Sequence, residues 1–211
     1  MLDLGAGTGK LAASLVAQGL HTYAVEPDRQ MLAQLRRHVP AAHPLAAGAE
    51  RIPLPDAAVD AVLVGHAFHW FDRDRALPEI ARVLRPGGFL ALLWNLRDDA
   101  VPWVRRLSGI MALGAQDSTS HVSPLPFDGN PLLGRPVRRV FPHRQRLDAD
   151  GLVGLVATRA HVATLPARKR DRVLGEVRTL ATTDPALAGR ADFDLPYLTE
   201  VWRSLAHPAG N

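Results

Sequence analysis

The run Leu2-Asp3-Leu4-Gly5-Ala6-Gly7-Thr8-Gly9 constrains this chain more than any other stretch. An apolar segment ends there in three alternating glycines. A helical pattern follows from Lys10, with Leu11, Leu15 and Val16 on one face. A strand that feeds a helix through such a turn belongs to a parallel α/β sheet. Glycines let the backbone turn tightly and come close to a ligand, and the helix behind them offers its first N–H groups. Glu26 closes the next apolar segment, where a carboxylate accepts hydrogen bonds from both hydroxyls of a ribose. Together these residues specify a site for a nucleoside-bearing cofactor at the carboxyl edge of the sheet.

The pattern continues along the first half. Strands are predicted over residues 1–4, 22–26, 43–47, 59–64 and 89–94. They alternate with helices over 10–18, 29–38 and 76–84, the second with Met31, Leu32 and Leu35 inward. Arg85-Pro86-Gly87-Gly88 is a turn signal between helix and strand. Beyond residue 100 the pattern loosens. A Pro/Ser/Gly-rich stretch at 118–136 is predicted as a loop or insertion. Strands at 137–147 and 191–205 and helices at 150–158 and 168–182 complete the chain. The expectation is one domain over 1–211, with a cofactor-binding half at 1–100, an insert near the acceptor pocket at 101–136, and C-terminal strands and helices at 137–205.

Composition limits the chemistry. With 211 residues, 47% hydrophobic and 22% charged, the chain can bury a full core and is not of disordered type. It has no cysteine, which excludes disulfides, thiolate metal sites and a cysteine nucleophile. The longest apolar runs, such as Phe89 to Trp94, suit a buried strand rather than a membrane span. With no secretory or transit pattern, the cytoplasm is the expected compartment. The 25 basic residues against 21 acidic give a formal charge of +4. All but Lys10 and Lys169 of the basic residues are arginine, which together with the many alanines reads as the codon usage of a GC-rich genome.

The loop discriminates among cofactors. A nicotinamide fingerprint needs a glycine where Lys10 stands. A phosphate loop needs glycine and Ser or Thr where Leu4 and Leu11 stand. The pattern G-x-G-x-G with Asp3 ahead of it instead resembles motif I of the class I S-adenosylmethionine-dependent methyltransferases. The resemblance implies an α/β, Rossmann-like doubly wound fold with a mostly parallel seven-stranded sheet and an antiparallel C-terminal strand. Its cofactor would be S-adenosyl-L-methionine. Asp3, Gly5, Ala6, Gly7 and Gly9 would then face the methionine moiety, with Glu26, Pro27 and Met31 around the ribose. Ala47-Gly48-Ala49-Glu50-Arg51-Ile52-Pro53-Leu54-Pro55-Asp56 is similar to the family's segment after strand three. By that similarity Ala49 and Glu50 lie against the adenine, with Glu50 accepting from its exocyclic amine.

Gly65-His66-Ala67-Phe68-His69-Trp70-Phe71-Asp72 after strand four resembles the type 11 group, in its trans-aconitate methyltransferase-like branch. The resemblance makes Gly65 and His66 cofactor contacts. It makes His69, Trp70 and His66 the catalytic candidates, the imidazoles as base or orienting groups and Trp70 as an aromatic wall near the sulfonium. The competing reading is that His69 and Trp70 only pack the loop. His66, His69 and Asp72 have the spacing of ligands on one helical turn, but no second cluster supports them and no metal is expected. Family members carry helices ahead of motif I that cover the cofactor. This chain starts at Met1, beside the motif, so the expectation is an N-terminal truncation lacking those cap helices.

The expected function is methyl transfer from S-adenosylmethionine to a small-molecule acceptor, directed to a hydroxyl or carboxylate oxygen. Two alternatives stay open. One is an RNA methyltransferase using the arginines of 135–146 and 168–172, although those clusters also suit solvated faces and a nucleic-acid partner is not expected. The other is a truncated domain that binds the cofactor but is impaired in catalysis. Asp194-Leu195-Pro196-Tyr197 resembles the tetrapeptide of adenine-N6 methyltransferases but falls in the last strand, not after strand four.

Overall fold

A computed structural model of the chain describes residues 1–112 and 129–207. Most of the 118–136 segment therefore lies outside the described residues. The strands are β1 (Leu2–Leu4), β2 (Tyr23–Val25), β3 (His43–Leu45), β4 (Val59–Gly65), β5 (Leu84–Arg97), β6 (Val137–Leu147) and β7 (Phe193–Leu205). The helices are α1 (Lys10–Ala17), α2 (Arg29–His38), α3 (Arg73–Val83), α4 (Pro102–Ala112), α5 (Ala149–Ala157), α6 (Ala160–Ala163) and α7 (Ala167–Thr183). The strands form one seven-stranded sheet in the order β3-β2-β1-β4-β5-β7-β6.

The first five strands are parallel, with Leu2 registered against both Tyr23 and Val62, Val25 against Leu45, and Gly65 against Leu93. Backbone bonds join Gly88 to Ala206 and Asp98 to Pro196, so positions rising along β5 meet positions falling along β7. Strand β7 is therefore antiparallel, as the resemblance implied. Ion pairs Arg138–Glu200, Arg144–Asp194 and Arg146–Asp192 give the same opposed sense for β6 and β7.

The described residues divide into two compact units. One comprises 1–94, 129–140 and 200–207, the other 95–112 and 141–199. The first unit contains the parallel strands and α1 to α3. Leu2, Leu4, Val25, Val62, Val64, Leu90 and Leu92 are fully buried, which is why these strands read as apolar runs rather than alternating ones. Helix α2 has the predicted limits because both ends are marked. The Asp28 carboxylate accepts from the Gln30 and Met31 amides at 2.7 and 3.0 Å, and Arg36, Arg37 and His38 fill the last turn. Leu32 and Leu35 are buried as expected. Met31 is not: it is 44% exposed. It stands at the edge of the apolar stripe, in the first turn, and faces outward.

The Arg85-Pro86-Gly87-Gly88 turn is an excursion inside β5 rather than a boundary before it. Val59 pairs with Leu84 and Ala61 with Phe89, so residues 85–88 bulge opposite Asp60 alone. Arg85 clamps the bulge with a 2.8 Å ion pair to Asp60. A side chain at Gly88 would sit 2.9 Å from the Arg85 and Asp60 carbonyls, which explains the glycine.

Arg82 secures the segment between β3 and β4. Its guanidinium holds Glu79 at 2.7 and 2.8 Å, Asp56 at 2.8 Å, and the Ile52 and Leu54 carbonyls at 2.9 Å. The Ile52 amide in turn donates to Glu79 at 2.8 Å. Arg82→Met is expected to lower stability by about 1–3 kcal/mol, because two carbonyls and two carboxylates lose their donor. Arg82→Lys restores little, since an ammonium cannot reproduce the planar fork. Urea unfolding of both variants checks this; a lysine variant as stable as wild type contradicts it.

The second unit holds its own core. Trp103, Val104, Leu107 and Met111 of α4 meet Leu152, Val153 and Val156 of α5, Val173, Val177 and Leu180 of α7, and Phe193, Leu195 and Tyr197 of β7. Helix α4 occupies the start of the segment predicted as insert. Its apolar spacing and Pro102 in the first helical turn are visible in retrospect.

Candidate functional site

The glycine loop is pinned to the end of β2. The Gly5 and Ala6 amides both donate to the Val25 carbonyl, at 2.9 and 3.0 Å, and the Gly9 amide donates to the Ala6 carbonyl at 2.9 Å. Gly5, Gly7 and Gly9 have φ of 73°, 57° and 88°, where other residues are strained. Their surroundings differ. A Cβ at Gly5 would lie 2.5 Å from the Ala67 Cβ, and one at Gly9 would lie 2.8 Å from Leu35 Cγ. A Cβ at Gly7 would meet only Met31 Sδ, at 4.0 Å. Gly5 and Gly9 are packing positions, whereas Gly7 faces open space.

Glu26, 7% exposed, ties this loop to the start of α2. Its Oε2 accepts from the Gly7 amide at 2.8 Å and its Oε1 from the Asp28 amide at 2.9 Å. A carboxylate has about four acceptor sites, so each oxygen retains one for a ligand hydroxyl.

These groups open onto a cleft of about 360 Å³ in the first unit. Gly5, Gly7, Glu26, Pro27 and Met31 line one side, Ala47, Gly48, Ala49 and Glu50 another, and Gly65, His66, Ala67, Trp70 and Phe71 the rest. Ten of the sequence-predicted residues therefore come together: Gly5, Gly7, Glu26, Pro27, Met31, Ala49, Glu50, Gly65, His66 and Trp70. Asp3, Ala6, Gly9 and His69 do not line it. Asp3 and Gly9 are buried behind the loop, and His69 stands outside the rim. The cleft is also lined by Ala47, Gly48, Ala67 and Phe71, the last two closing over Gly5; they lie within the motif segments, but sequence reasoning did not single them out as site residues.

The loop after β4 turns on a buried anchor. Phe68 is 1% exposed and packs edge-on against Phe71, with ring centroids 5.7 Å apart, while the Arg73 guanidinium lies 5.6 Å from its ring. A single 3-10 turn, Phe68–Trp70, follows from that burial, closed by the Trp70 amide on the Ala67 carbonyl at 2.9 Å. Trp70 is thereby thrown outward, 81% exposed, with the His69 ring 4.8 Å from its own. Partial burial holds the His69 imidazole below its usual range, so it is neutral at pH 7 and able to take a proton. His66 adopts φ of 54°, a strained conformation for a residue with a side chain, and its amide donates to the Leu93 carbonyl at 3.0 Å. Glu50 Oε1 accepts from the Asp72 amide at 3.0 Å, joining the two walls of the cleft. Its Oε2, and one remaining site on Oε1, can still accept from a ligand amine. Among the described residues no three His, Asp or Glu side chains gather as metal ligands.

Asp3 serves the loop from behind. It is 1% exposed, its Oδ2 lacks a partner, and burial pushes its carboxyl up to about 7 against the opposing pull of the Ala12 amide in α1. The folded state therefore binds this proton more tightly than the unfolded chain. The resulting stability is full below about pH 4 and is lost as pH rises toward 7, by roughly 4 kcal/mol at most. Asp3→Asn is expected to remove that decline. Denaturant unfolding of both proteins at pH 5 and pH 8 checks it: the variant's advantage should grow with pH, and a constant difference contradicts the assignment.

The strand order, with one antiparallel strand next to the edge, and the glycine loop at the carboxyl end of β1 define a Rossmann-like methyltransferase fold. Residues 2–92 match the family described as methyltransferase domain. An uncharacterized methyltransferase of Mycobacterium tuberculosis is 45% identical over 208 residues, covering 97% of this chain and 82% of that protein. An uncharacterized methyltransferase-like protein of Schizosaccharomyces pombe is 35% identical, covering 99% of this chain and 83% of that protein. A solved structure from Anaeromyxobacter dehalogenans, described as a type II methyltransferase, superposes with a TM-score of 0.71 at 28% identity, over 98% of this chain and 88% of that one. The chain belongs to the class I S-adenosylmethionine-dependent methyltransferases, and S-adenosylmethionine is its cofactor. The cleft suits that molecule: Gly7 leaves open space where a side chain would intrude, and Glu26 retains acceptor sites for a ribose. Among the described residues no helix is long and apolar enough to cross a membrane.

Proposed function

We propose that the chain methylates an oxygen, hydroxyl or carboxylate, of a small-molecule acceptor placed at the rim formed by Trp70 and His66, with His69 beside Trp70. The observation that carries this reading is the 3-10 turn at the cleft mouth. It leaves the Trp70 indole largely exposed at the cleft wall, with the His69 ring against it and His66 just ahead of the turn.

In this reading Glu26 accepts from the ribose hydroxyls, with Pro27 and Met31 beside the sugar. The loop at Gly5 and Gly7 accommodates the methionine part. Ala49 and Glu50 take the adenine, the latter through its Oε2, and Gly65 and His66 form the floor. Asp3, Ala6 and Gly9 shape the loop without touching the ligand. The bound sulfonium supplies an activated methyl group for in-line displacement. The protein's share is alignment, which supplies up to about 7–11 kcal/mol of barrier reduction. The Trp70 face attracts the cation. His69, neutral at pH 7, removes the proton of a hydroxyl acceptor; a carboxylate acceptor needs no base.

The arginines of β6 favour a small acceptor over RNA. Arg138, Arg144 and Arg146 pair with Glu200, Asp194 and Asp192 of β7, and Arg172 pairs with Glu176. These pairs use the charge of four arginines of the two clusters within the protein, which weakens their hold on a phosphate backbone.

The test is formation of S-adenosylhomocysteine with a panel of hydroxy and carboxylic acids, read by mass spectrometry. Trp70→Ala is expected to lower turnover with any acceptor. His69→Ala should cost about 10²–10⁴-fold with a hydroxyl acceptor and little with a carboxylate. Methyl incorporation into RNA but into none of the small acids would overturn the proposal.

A further inference from the structure

The second unit gathers two guanidiniums and an imidazole with no carboxylate at ion-pair distance among the described residues. Arg97 ends β5, Arg159 follows α5, and His161 lies on α6. All three are partly buried. Arg97 is fixed by its Nε, which donates to Ser108 Oγ on α4 at 2.9 Å; that hydroxyl donates in turn to Asp99 at 2.7 Å. Arg159 Nη2 reaches Tyr197 Oη of β7 at 3.5 Å. The Tyr197 ring is buried and stacked on His143, with centroids 5.1 Å apart. Among the described residues neither guanidinium has a carboxylate within ion-pair distance, in contrast to Arg82, Arg106, Arg138 and Arg146.

This arrangement is costly without a ligand. Burial and the neighbouring Arg159 charge hold Arg97 below the usual guanidinium range, and burial with both arginines does the same to His161. Asp99 opposes this, but it is reached only through the Ser108 hydroxyl. Three segments, the end of β5, the link after α5, and α6, thus hold two guanidiniums and an imidazole near one another. Among the described residues the Arg97 Nη groups have no hydrogen-bond partner, while its Nε is anchored. A side chain anchored in this way presents its two terminal N–H groups as a fixed fork, the geometry that matches an oxyanion bidentately.

We propose that Arg97, Arg159 and His161 form an oxyanion-binding site, which takes the carboxylate or phosphate group of a small acidic ligand. The Tyr197 hydroxyl, held against Arg159, is positioned as a further donor. Ser108 is a positioning residue that acts through Arg97.

The test is calorimetric titration of the full chain with succinate and, separately, with inorganic phosphate, with no S-adenosylmethionine present. Failure here therefore leaves the reading of the cleft intact. Saturable binding of at least one anion is expected, weakened at least about tenfold in Arg97→Met and in Arg159→Met and unchanged in Arg168→Met, an exposed control. Ser108→Ala, which removes only a hydroxyl, should weaken it about threefold and keeps the test valid should an arginine variant misfold. Tighter binding of succinate identifies the ligand group as a carboxylate, and tighter binding of phosphate identifies a phosphate. No saturable binding of either anion, or equal binding by wild type, the arginine variants and Ser108→Ala, overturns the proposal.

Discussion

Glu26→Gln is expected to lose at least about tenfold in S-adenosylmethionine affinity and about 1–3 kcal/mol of folding stability, although it changes one atom. Both Glu26 oxygens face backbone amides, Gly7 on one side and Asp28 on the other. A carboxylate accepts at both positions, whereas an amide turns one of them into a donor that meets another donor. The variant must therefore leave either the loop amide or the helix-entry amide unpaired in a nearly buried place, and it also loses a charged acceptor for the ribose. Thermal unfolding and calorimetry measure the two losses independently. A stable variant with unchanged affinity would show that Glu26 is neither the loop's tie nor the ribose acceptor.

Gly5→Ala is the second large effect. The added methyl combines a φ of 73° with a 2.5 Å approach to the Ala67 Cβ. The strain amounts to about 1–3 kcal/mol for the backbone alone, before the overlap is counted. Because the loop is hydrogen-bonded to Val25, the strain is expected to push the Ala67 to Phe71 wall outward and so to open the cofactor cleft. Ala67→Gly in the same chain should recover part of the lost stability and affinity by removing the overlap. The φ penalty remains, so recovery is incomplete. A double variant no better than Gly5→Ala would show that the two segments do not press on each other.

The parts of the fold legible in the sequence are those whose cause is local. Strands β1, β2 and β4 stand out because burial on both faces makes them continuously apolar, and α2 because a capping aspartate and a basic last turn bracket its periodicity. Strand β7 was also readable, although its antiparallel sense rested on resemblance rather than on pattern. Elements whose cause is distant were harder to read. The bulge at residues 85–88 looks like a simple turn because the single opposing residue, Asp60, lies on another strand. Helix α4 was absorbed into an expected insert, since its apolar stripe answers to α5 and α7 far along the chain.

The candidate site divides in the same way. Glycine spacing and Glu26 announce a ligand, but spacing alone cannot separate Gly7, open to the cleft, from Gly9, which packs on Leu35. Met31 belongs to the predicted inward stripe, yet its place in the first turn of α2 leaves it exposed at the cleft wall. Glu50 was read as an adenine acceptor, yet one of its oxygens is engaged by Asp72, a contact 22 residues away that no local signal carries. Arg97 and Arg159 illustrate the limit further: their partners, Ser108 on α4 and Tyr197 on β7, lie 11 and 38 residues away.

S-adenosylmethionine is proposed to occupy the cleft over Gly7. Gly7→Arg tests this occupancy most directly, because its side chain would enter open space and fill the cleft while leaving the packed core untouched. Calorimetric titration of S-adenosylmethionine into both proteins should give saturable one-to-one binding for wild type. The variant should show none, with an unfolding midpoint within a few degrees of wild type's, since its only folding cost is a left-handed φ of about 1–2 kcal/mol. No binding by wild type, or equal binding by both proteins, would contradict the account.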